Sequence, residues 1–208
     1  MSDAHPKTAR VDHEILEVIQ HRWSPRAFDP SREVTRGDLL RLFEAARWAP
    51  SANNDQPWRF VSASRRDTPE AFVALLGSLM PKNRAWAEAA PVLVLVAIHE
   101  TREPIDRPNP SAWYDAGQAV GFLTLQATSM GLSVRQMEGF DQAQARVACA
   151  VPTPFAPAVV MAIGYAGDPE ALAIEKHRAA ERQPRTRRPL EEFVFEVIWG
   201  KKLQTQSS

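Results

Sequence analysis

The stretch that most constrains this chain is Val92-Leu93-Val94-Leu95-Val96-Ala97-Ile98, apolar at every position and β-branched at alternate ones. Unbroken apolar character over a strand's length describes a strand buried on both faces, which demands helices above and below a sheet. The apolar stretch reaches from 89 to 98, ten residues, against the ~20 that a bilayer-spanning helix requires. No transmembrane segment is therefore expected. The 208 residues suit one domain with one core, because independent domains commonly run ~100 to 200 residues.

The flanking patterns supply the other layers. Val11, Ile15, Val18 and Ile19 recur at helical spacing, so a first helix is expected over 8–20, ending near His21. Thr35 with Asp38 three residues on announces a second helix, carrying Leu39, Leu42, Phe43 and Ala46 and stopped by Pro50. A strand is expected over 58–62, then a helix capped by Thr68 with Pro69 at its first position. Ser111 opens a long helix that ends near Met130, with Gly131 placed for the left-handed conformation after the last turn. Gly117 and Gly121 lie four apart on it, a spacing that lets another backbone approach. Strands are expected over 132–137 and 158–163, with Asp141 and Gln144 capping a short helix between them. Alternation of helix and strand gives an α+β fold, α/β layered, with a central mixed sheet flanked by helices. At the C-terminus Phe193, Phe195, Val197 and Trp199 alternate with Val194, Glu196 and Ile198. Such a strand needs a neighbour, and a C-terminal extension reaching the partner subunit would provide one. The expected organisation is a flexible N-terminus over 1–10, a single domain over 11–200 and a flexible C-terminus over 201–208.

Charge and chemistry exclude more than they include. Twenty-five basic against 25 acidic residues leave a formal net charge of zero, so no global field recruits nucleic acid or an anionic membrane. The lone Cys149 rules out an intrachain disulfide, and the cytoplasm is the expected compartment. Five scattered histidines and one thiol offer no metal-ligand spacing. A nucleophile elbow, a dinucleotide-binding glycine turn and a phosphate-binding Walker loop are all missing. Any chemistry must then come with a cofactor.

Four segments carry a signal. Arg22-Trp23-Ser24-Pro25-Arg26 places two guanidiniums and a hydroxyl at alternate positions, able to converge on one anion if the segment is extended. Pro184-Arg185-Thr186-Arg187-Arg188-Pro189 repeats that chemistry. Taken alone, a solvated basic loop accounts for either of them better. Residues 49–58, Ala-Pro-Ser-Ala-Asn-Asn-Asp-Gln-Pro-Trp, form a proline-bounded loop rich in amides, equally readable as a turn. Gln136-Met137-Glu138-Gly139-Phe140-Asp141 turns from strand to helix, where glycine leaves backbone N–H groups open to a ligand.

In this order, the four segments resemble the nitroreductase family of FMN-dependent NAD(P)H oxidoreductases. The resemblance spans about residues 12 to 195. It implies that Arg22, Trp23, Ser24 and Arg26 bind the cofactor, with Arg185 and Arg187 joining at the phosphate. Pro50, Ser51 and Asn53 would reach the flavin across a homodimer interface, so the two FMN sites are shared between subunits. Met137, Glu138 and Gly139 would lie at the isoalloxazine, with backbone N–H groups of the turn facing N5. Where the family often has an Asn and a Lys at the pyrimidine side, this chain offers Lys82, Asn83 and Arg84. The implied reaction takes hydride from NAD(P)H and reduces a small organic acceptor, nitroaromatic, quinone or enal/aldehyde, by ping-pong catalysis. No catalytic side chain, metal, nucleic acid or membrane is implied. The segment 100–110 is expected to loop over the site. The competing class is a non-enzymatic dimeric module whose arginines bind an acidic partner, which zero net charge disfavours.

Overall fold

The apolar run at 92–98 sits at the centre of the sheet. The computed structural model describes residues 7–102 and 107–203. Its elements in chain order are α1 (Glu17–His21), α2 (Arg36–Arg47), β1 (Trp58–Ser64), α3 (Pro69–Gly77), α4 (Pro81–Ala87) and β2 (Val92–His99). There follow β3 (Thr101–Arg102), β4 (Arg107–Pro108), α5 (Ala112–Ser129), β5 (Ser133–Met137), α6 (Gln142–Ala148), β6 (Phe155–Gly164) and α7 (Glu175–Arg182). The main sheet has the order β1-β2-β6-β5, and β3 pairs with β4 as a small ribbon.

Every residue of β2 is buried, and alternation assigns each to a layer. Leu93, Leu95 and Ala97 join Phe72, Leu75 and Trp86 in the core under α3, α4 and α6. Val92, Val94, Val96 and Ile98 join Leu42, Ala46, Ala116 and Leu123 in the core under α2 and α5. β6 divides in the same way, Val160 and Ala162 toward the first core, Met161 and Ile163 toward the second. A sheet between two helical layers is thus what the continuous apolar run requires.

The capping signals explain several boundaries. Thr35 and Asp38 form the reciprocal capping box, Asp141 accepts from the Gln144 N–H at 3.0 Å, and Gly131 has φ +73° at the end of α5. At α3 the cap is not a side-chain one: the Thr68 hydroxyl accepts instead from the Ser64 N–H at 2.8 Å, tying the helix start to β1. Ser111 likewise makes no side-chain cap.

Three expectations are corrected. All three pairings in the main sheet are antiparallel, so among the described residues there is no parallel pair and this sheet is not mixed. The first helix is Glu17–His21 rather than 8–20, and Val11, Ile15 and Ile19 stay about 40% exposed because no layer of the chain covers them. At the start of the described chain, the Ala9 N–H donates to the Gln20 carbonyl and the Lys7 ammonium to the carbonyls of Ala180 and Gln183. The C-terminal strand does not form. Residues 193–202 fold back on themselves, with Val197 and Gly200 at positive φ and a single bridge between Phe195 and Lys202. The apolar side chains there find no strand partner within the chain, and Trp199 is 90% exposed.

Candidate functional site

A cleft of about 820 Å³ opens where β5 ends. Its walls come from four separated segments: Arg26 after α1, Lys82 and Asn83 at the start of α4, residues 135–139, and Lys176, His177 and Ala180 of α7. The Gly139 turn is built to close tolerance. Its carbonyl accepts from the Met80 N–H at 3.0 Å and from the Asn83 side-chain amide at 3.0 Å, and a Cβ at Gly139 would meet that amide nitrogen at 2.8 Å. Gly139 does not have a positive φ. A side chain here would displace the Asn83 amide, so what glycine provides is space and not a left-handed backbone. Met137 is buried in the core while Glu138 is exposed at the rim.

The arginine segments meet across the molecule. Arg185 donates to the carbonyls of Gln20 and Arg22, and Arg22 donates to the Ser24 hydroxyl at 3.1 Å. Burial pushes the Arg22 guanidinium below its ordinary range, and neighbouring Arg187 pushes the same way. Arg185 is lowered by burial first, then by Arg22 and Arg187. The charges that press on these residues are thus other guanidiniums, and the buried Nε of Arg185 lacks a hydrogen-bond partner among the described residues. Three gathered cations of one sign are chemically suited to a polyanion.

A second set of charges links these arginines to the cleft. Glu181, 4% exposed, accepts from the Arg26 backbone N–H at 3.1 Å and lies 3.9 Å from the Arg26 guanidinium. Its other oxygen has no partner among the described residues. The Lys7 ammonium lies over the Trp23 ring at 5.4 Å while holding the end of α7, so the N-terminal segment clamps α7 against the Arg22 to Arg26 segment. Arg135 donates to the Ser24 carbonyl and stacks over Trp86 at 5.3 Å. Burial lowers its pKa to about 10, with a further contribution from Arg26 and opposition from Glu181. His177 is held below its usual value by burial, then by Arg26, Arg135 and Lys176.

The loop at 49–58 lies elsewhere. The Asp115 carboxylate accepts from the Ala52 N–H at 3.0 Å, and the Ser51 hydroxyl from the Gln56 N–H at 3.1 Å. Asn53, Asn54 and Gln56 all take positive φ, at 54°, 58° and 45°, a concentration of strain typical of functional loops. Ala49, Trp58 and α5 belong to the core on the opposite side of the sheet from Met137 and Trp86. Pro50, Ser51 and Asn53 therefore do not line the cleft of their own chain. The segment at 100–110 lies beside this loop, with Asn109 donating to Asp55 and Arg102 paired to Asp55 at 2.9 Å; residues 103–106 fall outside the described residues.

The cleft thus gathers Arg26, Met137, Glu138 and Gly139 from the expected set, and Arg22, Ser24, Arg185 and Arg187 gather beside it. Arg84 turns away to the carbonyls of Gly77 and Leu79. Sequence reasoning missed Arg135, Lys176, His177 and Glu181. The signal for Arg135 was present: it is in phase with Met137 along β5 and so shares the core-facing side, an unusual place for a guanidinium.

The nitroreductase family model matches residues 19–165, and the chain belongs to that family. A solved structure described as an oxidoreductase containing FMN is 30% identical, with a TM-score of 0.85 over 97% of this chain and 100% of that one. The "Uncharacterized 15.4 kDa protein in ask 5'region" of Mycolicibacterium smegmatis is 37% identical over 134 residues, 64% of this chain and 88% of that protein. The major NAD(P)H-flavin oxidoreductase of Aliivibrio fischeri is 39% identical over 98 residues, 46% of this chain and 45% of that protein. The chain thus matches less than half the length of that flavin oxidoreductase.

Proposed function

We propose that this chain is an FMN-dependent oxidoreductase that draws electrons from NAD(P)H and delivers them to a small organic acceptor of nitroaromatic, quinone or enal/aldehyde type in two successive half-reactions. The observation that carries this reading is the pairing of a polyanion site with a close-fitting backbone turn. Arg22, Arg185 and Arg187 repel one another and include a buried, unpartnered donor, which suits a phosphate dianion. The Gly139 turn lines the cleft and carries no side chain of its own, which suits a flat ring laid against backbone. FMN carries both groups, so the residues present fit it. When bound, FMN supplies hydride acceptance at N5 and passes electrons on to the acceptor.

The chain's own residues do the rest. Arg22, Ser24 and the Arg185–Arg187 pair hold the phosphate end, and Arg26 and Asn83 orient the ring's polar edge. The backbone N–H groups of Glu138 and Gly139 would offer a hydrogen-bond donor to N5. Trp23, Pro50, Ser51, Asn53 and Met137 complete the set, with the loop residues coming from a second copy. That assignment is supported by the strained loop standing on the other side of the sheet, and by a face of α5 that exposes Trp113 and Tyr114 at 51% and 74%. A Cβ at Gly117 or Gly121 would meet nothing within 4 Å, so this face is open to a partner's backbone. Our reading is accordingly a homodimer with two shared sites, with the cytoplasm as its proposed compartment. Among the described residues no helix is long and apolar enough to cross a membrane.

The test is anaerobic addition of NADH or NADPH to FMN-loaded protein. Bleaching of flavin absorbance, and its return with a quinone or nitroaromatic, supports the reading. Bound flavin that neither nicotinamide reduces contradicts it.

A further inference from the structure

One cation in the cleft is placed by the fold at a cost that the fold alone does not explain. Arg135 lies two residues before Met137 on β5 with its side chain on the core side, its guanidinium carbon 5.3 Å from the centre of the buried Trp86 ring. Its hydrogen bond goes to the Ser24 carbonyl, a neutral acceptor. The nearest buried carboxylate, Glu181, is engaged by Arg26 instead, so Arg135 has no ion-pair partner among the described residues. A guanidinium that is half-buried, beside a second guanidinium and without its own carboxylate, is disfavoured by desolvation and repulsion together. Arg135 nonetheless lines the cleft, a few residues from the Gly139 turn.

We propose that Arg135 sets how readily the FMN of this protein is reduced, its guanidinium facing the pyrimidine edge of the flavin and stabilising the charge that arrives there with hydride. This rests on the flavin reading above. A flavin has one polar edge, with acceptors at N1 and C2=O, and one hydrocarbon edge; only the polar edge complements a wall bearing Arg26 and Arg135. In the transfer from NAD(P)H, the C4–H bond of the dihydronicotinamide breaks and an N5–H bond forms. Two electrons and one proton move together, the nicotinamide leaves as its cation, and one unit of negative charge is added on the N1 side of the ring system. A cation at that edge favours the reduced form over the oxidised one. Lys82 and Lys176 also line the cleft but are exposed, where water and salt screen them. The half-buried Arg135 is screened far less. Its stacking on Trp86 and its bond to Ser24 fix it between α4 and the Arg22 to Arg26 segment, two walls of the same site.

The experiment measures the two-electron midpoint potential of FMN-loaded wild type, Arg135→Gln, Arg135→Lys and Glu181→Gln by anaerobic equilibration with a reference dye, together with oxidised FMN affinity. Arg135→Gln is expected to cut the affinity for reduced relative to oxidised FMN about tenfold, which for a two-electron couple is a potential lower by about 30 mV. Arg135→Lys keeps the charge and is expected to stay within about threefold of wild type in that ratio. Glu181→Gln removes the opposing anion and is expected to shift the potential upward. Should Arg135→Gln fail to fold, the other two variants decide: a lysine variant near wild type with an upward shift in Glu181→Gln supports the assignment. An unmoved potential in Arg135→Gln, or in Glu181→Gln, overturns it and makes Arg135 a structural strut. Wild-type protein that takes up no FMN overturns the flavin reading itself, and this inference with it, which separates the two failures.

Discussion

Replacing Gly139 by alanine tests the construction of the turn. The added Cβ would sit 2.8 Å from the Asn83 amide nitrogen, too close for both to stay. The amide is the end of a short side chain and can swing away, but it then gives up its 3.0 Å hydrogen bond to the Gly139 carbonyl. Loss of that bond costs about 1 kcal/mol, while Met80 at 3.7 and 3.8 Å stays in ordinary van der Waals contact. Opposing this, alanine restricts the unfolded chain at an ordinary φ, worth about 0.4 to 1 kcal/mol. The net expectation for Gly139→Ala is a loss of no more than about 0.6 kcal/mol in unfolding free energy. Asn83→Ala alone should cost about 1 kcal/mol. In the double variant the clash has no partner, so Gly139→Ala added to Asn83→Ala is stabilising by about 0.4 to 1 kcal/mol, and the two changes couple by about 1 kcal/mol. Urea denaturation of all four proteins without cofactor reads this directly. Strictly additive losses would refute the claim that the amide, and not the backbone conformation, is what excludes a side chain at 139.

Two further expectations follow from the structure. The depressed His177 pKa means that between its folded value and the ordinary 6.5 the unfolded chain binds more protons, so stability falls as pH drops from about 6.5 through that window; His177→Gln should flatten this part of the pH–stability curve, and an unchanged slope counts against a native histidine whose protonation is disfavoured by burial and then by Arg26, Arg135 and Lys176. Light scattering should give twice the 23.2 kDa chain mass, with Trp113→Glu on the open face of α5 shifting the protein toward monomer and weakening FMN retention together; a monomeric wild type that holds FMN tightly would remove the case for shared sites.

What could be read from the sequence follows from where periodicity is strong. The sheet centre, α2, α5 and α6 all carried either an unbroken apolar run or a cap followed by a stripe, and they form close to where those signals fall. The helix α4 escaped because its seven residues hold only Trp86 and Ala87 as buried positions, too few to show a period. The helix α7, with the sequence EKHRAAER, has no apolar stripe: what it buries is the Glu181 carboxylate, whose partners Arg26 and Lys7 lie far away in sequence. The patterns at 11–19 and 193–199 are genuine apolar patterns that stay largely uncovered among the described residues. The site divides the same way. Arginine clusters and the glycine turn were visible as residue types in short segments, whereas Arg135 and Glu181 acquire meaning only from the fold that sets them against Ser24, Trp86 and Arg26.

The measurement that bears most directly on the central claim is titration of flavin-free protein with FMN, followed by flavin fluorescence, for wild type, Arg22→Ala and Arg187→Ala. The account predicts saturation at one FMN per chain, with each variant weakened by ten to more than a hundredfold, the equivalent of about 1.5 to 3 kcal/mol for a lost charge-assisted contact to phosphate. Wild-type protein that leaves FMN fluorescence unchanged, or variants that bind it as tightly as wild type, would contradict it.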